Sequence, residues 1–171
     1  NQYVAVTQMH GHGTFSESRT NPPVNVVNNP DVVTALLPAL QAYQLSLAKP
    51  IITTAGIDAA SAERGRAVFN GAGQCASCHT GALFTDANSR LHSPSEVVSE
   101  PEPNGEPSAA SRSATKQYRT TPLRGLALHA PYFHNGIAAT LDAVVALYDS
   151  RKHLNLTAQQ KADLAEYLKT L

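Results

Sequence analysis

The sequence predicts an all-α protein with long loops. Four segments begin at residue types that cap helices, and two of them, at 33–47 and 164–171, place apolar residues at helical spacing. We see no clear alternation of apolar and polar residues that would indicate a half-buried strand, and no internal repeat. Helices must therefore supply the core, and the polar segments between them must run as loops.

The first helix is predicted to begin at Asn29, as the cap, and to end by Lys49. Pro30 suits the first helical position, and Pro50 disfavours helical geometry in the residue before it. One apolar stripe follows at helical spacing: Val33, Leu36, Leu37, Leu40, Tyr43 and Leu47.

Three more helices are predicted in the second half of the chain. Asp58 caps a helix that runs to about Phe69, and Thr140 caps the segment LDAVVALYDS. Thr157, with Gln160 three residues later, forms a capping box for the last helix. The apolar stripe of that last helix consists of Leu164, Leu168 and Leu171.

Two segments lack helical signals. Residues 1–29 are polar, aperiodic and rich in Asn, Gly and Pro, which predicts an extended arm. Residues 85–116 include the acidic, Pro-rich run EPEPNGEP and predict a long surface loop, with a solvated tip at 99–111. We therefore expect an N-terminal arm and linker helix at 1–50, and one helical domain at 51–171.

Charge and hydropathy exclude several classes of protein. The chain has 171 residues with 13 basic and 13 acidic side chains, so it lacks the basic surplus of a nucleic-acid binder or a polybasic membrane anchor. No apolar run approaches the roughly 18 residues of a membrane span. The chain begins with neither Met nor a signal peptide, so we expect a processed chain or a fragment of a longer one.

The chemistry is predicted from the only two cysteines. Cys75, Cys78 and His79 form a CxxCH motif, the attachment signature of c-type haem. Two thiols three positions apart on one turn can each form a thioether with a porphyrin vinyl group, and the adjacent imidazole then lies below the iron. The motif predicts one covalently bound haem c, with His79 as the proximal iron ligand.

Three other uses of the two cysteines are less favoured by the sequence. A thioredoxin-like CxxC needs a βαβ context, which the sequence does not show. A zinc site needs a fourth ligand and usually a second ligand pair, and a disulfide across CxxC is strained. A capped helix before the motif and another at the chain end favour a cytochrome c-like haem domain.

Beyond the haem motif, residues 58–171 resemble the C-terminal haem domain of the bacterial di-haem cytochrome c peroxidase family, which includes MauG-like proteins. The segments that carry the resemblance are RGRAVF at 64–69, LFTD at 83–86, YRTTPLRGLALHAPYFHNG at 118–136, ATLDAVVALYD at 139–149 and LTAQQKADLAEYLKTL at 156–171. The family carries two CxxCH motifs, whereas this chain has one, in the C-terminal type of domain. The resemblance therefore implies either a missing peroxidatic half or a protein without that reaction.

The resemblance also implies roles for three residues. Tyr148 occupies the position where relatives carry a distal Met or, in MauG-like proteins, a Tyr, which makes it a candidate sixth iron ligand. Arg124 matches a family arginine that would pair with a haem propionate through its planar fork. His134, in PYFHNG, matches a family histidine expected near the haem edge rather than on the iron.

The sixth ligand has alternatives. Met9 is the only methionine and lies 66 residues before Cys75, so the usual Met ligand requires the arm to fold back over the haem. His92, in a loop that could cover the distal face, is the best alternative to Tyr148, whose simpler role is that of a core aromatic. The expected wall of the haem pocket consists of Leu83, Phe84, Tyr132 and Phe133.

These observations predict a mono-haem cytochrome domain that transfers single electrons to a redox partner protein or to a second haem domain. The alternative function is a peroxidase or MauG-like oxidase in which this domain is the electron-relay half. Thioether attachment of haem predicts a periplasmic or extracellular location. The arm at 1–29 predicts association with a neighbouring subunit, such as a second copy of the chain.

Overall fold

A computed structural model describes residues 11–15, 24–47, 53, 55–87, 89–102 and 116–171 of the chain. The described residues fall into two compact units: residues 11–15, 24–47 and Lys116 form the first, and the other described residues from 53 onward form the second. None of the helices in the described ranges is long and apolar enough to cross a membrane.

The first unit contains a small sheet and one helix. Strands β1 (His12–Phe15) and β2 (Val24–Val27) pair antiparallel, with His12 opposite Val27. The sequence predicted only an extended arm here, because four-residue strands carry too few positions for an alternating pattern. Met9 and residues 16–23 lie outside the described residues.

Helix α1 (Leu37–Ser46) follows a 3-10 turn at Thr34–Leu36 and begins later than the cap predicted at Asn29. Asp31 accounts for part of the difference, because its carboxylate accepts hydrogen bonds from the backbone N–H groups of Val33 and Thr34 and holds a turn there. The predicted apolar stripe is present but largely exposed at Leu36, Leu40, Tyr43 and Leu47.

The second unit is helical, and its helix starts agree with the predicted caps. Helix α2 (Ala59–Asn70) begins where the Asp58 carboxylate accepts from two backbone N–H groups. Helix α3 (Leu141–Lys152) begins at Thr140, and helix α4 (Ala158–Leu168) begins at the predicted capping box of Thr157 and Gln160. The predicted all-α class is confirmed.

Helices α2 and α4 cross at close range and enclose the core. A Cβ atom on Gly65 would lie 1.9 Å from the backbone oxygen of Asp163, so only glycine allows this approach. The side chains beside the crossing are apolar and buried: Val68, Phe69, Leu164, Ala165, Tyr167, Leu168 and Leu171. The crossing places the end of α2, and the CxxCH turn after it, against the core.

The predicted loop at 85–116 is described as far as Glu102 and again from Lys116. It contains a 3-10 turn at Pro94–Glu96, and its two ends are joined by a backbone bridge between His92 and Tyr118. Most of the predicted tip, at 103–115, lies outside the described residues. The bridge holds the described part of the loop beside the segment that leads to Arg124.

Candidate functional site

The CxxCH segment forms a tight turn directly after α2. Cys75–Ser77 is a 3-10 turn, and the backbone N–H groups of Cys78 and His79 both donate to the Cys75 carbonyl. Gly73 permits this entry, because a Cβ there would lie 2.9 Å from the Val68 oxygen and 3.4 Å from the Cys75 sulfur. Both thiols and the imidazole therefore project from one short turn.

The two cysteines are free thiols rather than a disulfide. Cys75 is half-buried, with its sulfur 3.3 Å from the Gly73 carbonyl oxygen. Burial raises the pKa of the Cys75 thiol to about 11, because the anion loses solvation there. The Cys75 thiol is therefore protonated at neutral pH.

The His79 ring is oriented by a backbone carbonyl. Its Nδ1 lies 3.0 Å from the carbonyl oxygen of Phe84, and the ring packs 6.5 Å from that of Phe69. Burial lowers the pKa of His79, so the neutral imidazole is favoured. A hydrogen bond on Nδ1 sets the tautomer in which Nε2 is the metal-binding nitrogen.

Tyr148 lies close to the same two thiols, although it is 70 or more residues away along the chain. Burial first, and then the nearby Cys75 and Cys78, raise the pKa of the Tyr148 phenol to about 12. Within the described residues its hydroxyl has no hydrogen-bond partner. The Phe133 ring lies against it, with ring centres 6.0 Å apart.

The alternative ligand His92 is buried, and both of its ring nitrogens face carboxylates. Nε2 lies 3.0 Å from an Asp86 oxygen, and Nδ1 lies 3.5 Å from a Glu96 oxygen. Cys78, Asp86 and His92 also bring their possible metal-ligating atoms within 4.8 Å of one another. To bind iron, His92 would have to give up its contact with Asp86 or Glu96, and that role stays a prediction.

Arg124 stabilises the loop that follows the motif. Its guanidinium lies 5.0 Å from the centre of the Phe84 ring, and its Nε donates to the Ala82 carbonyl at 2.9 Å. Phe84 has a left-handed backbone and meets the Phe69 ring edge-on, whereas Leu83 is largely exposed. Arg124 and Phe69 therefore both hold the loop whose Phe84 carbonyl contacts His79.

The segment Tyr132–His134 divides between two environments. Tyr132 is buried, and Phe133 contacts Tyr148. His134 instead contacts Ser99 and Glu102, and its ring packs 5.1 Å from that of Tyr118. Its expected position near the haem edge stays a prediction.

Two contributors to the site were not singled out from the sequence. Phe69 packs on the His79 ring, and the buried Asp86 carboxylate pairs with His92. Phe69 carried a usable signal, since it is the last apolar residue of the helix before the motif. No local signal in the sequence indicated Asp86, because its contact with His92 forms only when the loop folds.

The residues present fit a covalently attached haem. Two free thiols and a neutral imidazole share one turn, and the half-buried phenol of Tyr148 lies near both thiols. Partly buried apolar side chains packed against the core include Ala76, Phe84, Leu126, Phe133 and Val144. A large apolar ring gains most from walls of this kind.

Comparison with known proteins agrees with this chemistry. Residues 62–171 match the cytochrome c family. Cytochrome-c peroxidase IdrP1 of Denitromonas iodatirespirans is 30% identical over 151 aligned positions, covering 66% of this chain and 40% of that protein. Methylamine utilization protein MauG of Methylorubrum extorquens is 29% identical over 124 positions, covering 66% of this chain and 35% of that protein.

Among solved structures, Kuenenia stuttgartiensis hydrazine synthase is similar with a TM-score of 0.55 and 25% identity, covering 82% of this chain and 56% of that chain. The chain spans about 40% of the length of the curated peroxidase relative and 35% of MauG. These matches confirm the resemblance to cytochrome c peroxidases and MauG-like proteins.

Proposed function

Because the chain belongs to the cytochrome c family, in the group of di-haem peroxidases and MauG-like proteins, we propose that residues 51–171 form an electron-transfer domain with one haem c. Family membership indicates haem-based electron transfer and covalent attachment of the haem. The observation that carries the proposal is the turn that presents two free thiols beside an imidazole held by the Phe84 carbonyl.

Each residue of the motif has a separate task. Cys75 and Cys78 would hold the haem through thioethers, and His79 would bind the iron through Nε2. When bound, haem c supplies a one-electron Fe(III)/Fe(II) couple. The Phe84 carbonyl keeps the imidazole in one orientation, which limits rearrangement of the protein when the charge changes.

Tyr148 is our proposed sixth ligand. Its half-buried phenol lies near both thiols, has no hydrogen-bond partner within the described ranges, and packs against Phe133. His92 is the alternative, but its two ring nitrogens already face Asp86 and Glu96. A tyrosinate ligand stabilises ferric iron, so it predicts a low reduction potential.

The proposed pocket also includes Leu83, Phe84, Arg124, Tyr132, Phe133 and His134. Leu83 is largely exposed beside the partly buried Phe84, which supports an open edge at which a redox partner docks. The balanced charge of the chain, 13 basic against 13 acidic residues, favours docking through this local contact rather than through long-range steering.

A second candidate function is favoured by the names of the relatives. In it, the domain is the electron-relay half of a cytochrome c peroxidase or MauG-like oxidase, and its partner is a second haem domain. Residues 1–50 would then connect the two haem domains or hold them together, and the exposed apolar face of α1 supports such a contact. Haem attachment of this kind takes place outside the cytoplasm, so we propose a periplasmic or extracellular location.

Haem attachment is tested by expressing the chain in cells that mature cytochromes c, followed by denaturing electrophoresis with haem staining. We expect the wild type to retain haem and the double variant Cys75→Ala/Cys78→Ala to lose it. Ser77→Ala is the matched control, since it alters the same turn without removing a thiol. Staining of the double variant would contradict thioether attachment.

Optical spectra separate the two functions. The electron-transfer proposal predicts a six-coordinate, low-spin spectrum that cyanide and peroxide leave unchanged. A rapid change on adding peroxide would overturn that proposal and favour the peroxidase or oxidase alternative. The same spectra recorded during reduction give the potential, which should be low if an anionic ligand binds the iron.

A further inference from the structure

A second cluster of possible metal ligands lies outside the CxxCH motif. Glu100, Glu102 and His134 bring one ligand atom each within 4.8 Å of one another. Glu100 and Glu102 belong to the loop after the Pro94–Glu96 turn, and His134 to the turn before Gly136. The cluster shares His134 with the proposed haem pocket, but it shares no residue with the proposed thioethers or iron ligands.

The His134 ring is oriented toward the carboxylates. Its Nδ1 lies 3.2 Å from the Ser99 hydroxyl, and Ser99 is only 1% exposed. The other nitrogen, Nε2, contacts the Glu102 carboxylate. Metal-binding histidines are held in this way, with one nitrogen anchored by a protein group and the other presented to the ion.

Both carboxylates are also held by neighbouring side chains. The Glu102 side chain is 8% exposed, and its second oxygen accepts a hydrogen bond from the Asn135 amide at 2.8 Å. The Tyr118 hydroxyl donates to Glu100. Because the Asn135 amide holds one oxygen of the Glu102 carboxylate, the other oxygen is directed at the His134 imidazole.

We propose that Glu100, Glu102 and His134 bind a divalent ion of the zinc class. One imidazole with two carboxylates suits Zn²⁺ and other borderline ions, whereas Ca²⁺ prefers six or more oxygen ligands. Bonds of about 2.1 Å in tetrahedral geometry place two ligand atoms roughly 3.4 Å apart. In the structure the three ligand atoms lie up to 4.8 Å apart, and small side-chain rotations would bring them to that distance.

The ion would tie two segments of the loop region together. Ser99–Glu102 and His134–Asn135 are 30 or more residues apart in the chain and meet at this cluster. A ligand that binds only the folded protein stabilises it in proportion to the logarithm of its concentration. Zn²⁺ should therefore raise the melting temperature.

Calorimetric titration of the haem-loaded, chelator-treated chain with Zn²⁺ alone tests the site. We expect one ion per chain, and at least tenfold weaker binding in His134→Gln and in Glu102→Gln. His129→Gln is the matched control, since it removes an exposed imidazole from the preceding turn. Unchanged Zn²⁺ affinity in both site variants, no binding to the wild type, or tighter binding of Ca²⁺ than of Zn²⁺ would overturn the assignment.

X-ray absorption at the zinc edge of the wild type needs no variant and so covers the case in which a variant fails to fold. The expected first shell contains one imidazole nitrogen and carboxylate oxygens. A zinc–sulfur distance of about 2.3 Å would place the ion on the cysteines and contradict the proposal. Because this readout is at zinc, it is independent of whether the electron-transfer function holds.

Discussion

Gly65 and Asp163 meet backbone to backbone: a Cβ atom on Gly65 would lie 1.9 Å from the Asp163 carbonyl oxygen. The contact lies where α2 crosses α4, so it sets the distance between the helices that flank the CxxCH turn. Phe69, one turn further along α2, then packs on both the His79 ring and Tyr167. The position of the imidazole thus depends on the absence of a side chain at residue 65.

Gly65→Ala should lower the free energy of unfolding by at least about 2 kcal/mol, the range of an overpacked core. This loss of stability is expected even though alanine is intrinsically more favourable in a helix than glycine, by about 1 kcal/mol. Urea denaturation measures the difference. Ala67→Ser, which adds one atom at an exposed position of the same helix, should stay within about 0.5 kcal/mol; an equal loss in both would contradict the argument.

Asp163 should make the fold sensitive to acid. Hydrogen bonds from Arg64 and Ser61 hold the pKa of this carboxyl well below its usual range, with a smaller contribution from Gln159. The charged form therefore stabilises the fold above about pH 4, and that stability is lost as the pH falls further, because the unfolded chain takes up the proton first.

Urea midpoints between pH 7 and pH 2.5 test this dependence. Asp163→Asn should lower the midpoint at pH 7 and flatten its fall below pH 4. The urea midpoint of this variant should still fall somewhat with pH, since neighbouring groups also lower the carboxyl pKa values of Glu96 and Asp149. Asp142→Asn, at an exposed position, should leave the wild-type profile intact; a profile of Asp163→Asn that parallels the wild type would count against the prediction.

Tyr148→Phe should change the spectrum of the ferric haem if Tyr148 is the sixth ligand. Removing the hydroxyl leaves the ring that packs on Phe133, so the fold should be retained while the coordination changes. We expect the variant to gain cyanide binding and a higher reduction potential. Tyr43→Phe, at an exposed position on α1, is the control, and a spectrum like the wild type in Tyr148→Phe would exclude this ligand.

Arg124→Ala should lower the free energy of unfolding by about 1–2 kcal/mol. The variant loses a hydrogen bond from a charged group to the Ala82 carbonyl and the contact with the Phe84 ring. Arg119→Ala removes an exposed arginine from the same segment and serves as the control in a thermal melt. A similar small loss in both variants would show that Arg124 does not support the loop.

Helix starts and the haem motif were predictable from local sequence. Asp58, Thr140 and Thr157 cap the helices predicted for them, because a capping side chain bonds to backbone only two or three residues away. CxxCH is equally local, since its spacing alone allows two thioethers on one turn. The late start of α1 shows the limit, because the Asp31 side chain competes for the same backbone groups.

The helical class, the c-type haem motif and the resemblance to the di-haem peroxidases and MauG-like proteins could all be predicted from the amino-acid sequence, and the comparisons confirmed that resemblance. The folded protein was needed to show that the Phe84 carbonyl orients His79, that Tyr148 lies near the thiols, and that His134 faces Glu102. Caps and motifs depend on residues within one turn, whereas Tyr148 and His134 meet partners 30 or more residues away, and Phe84 reaches His79 only once the loop between them has folded.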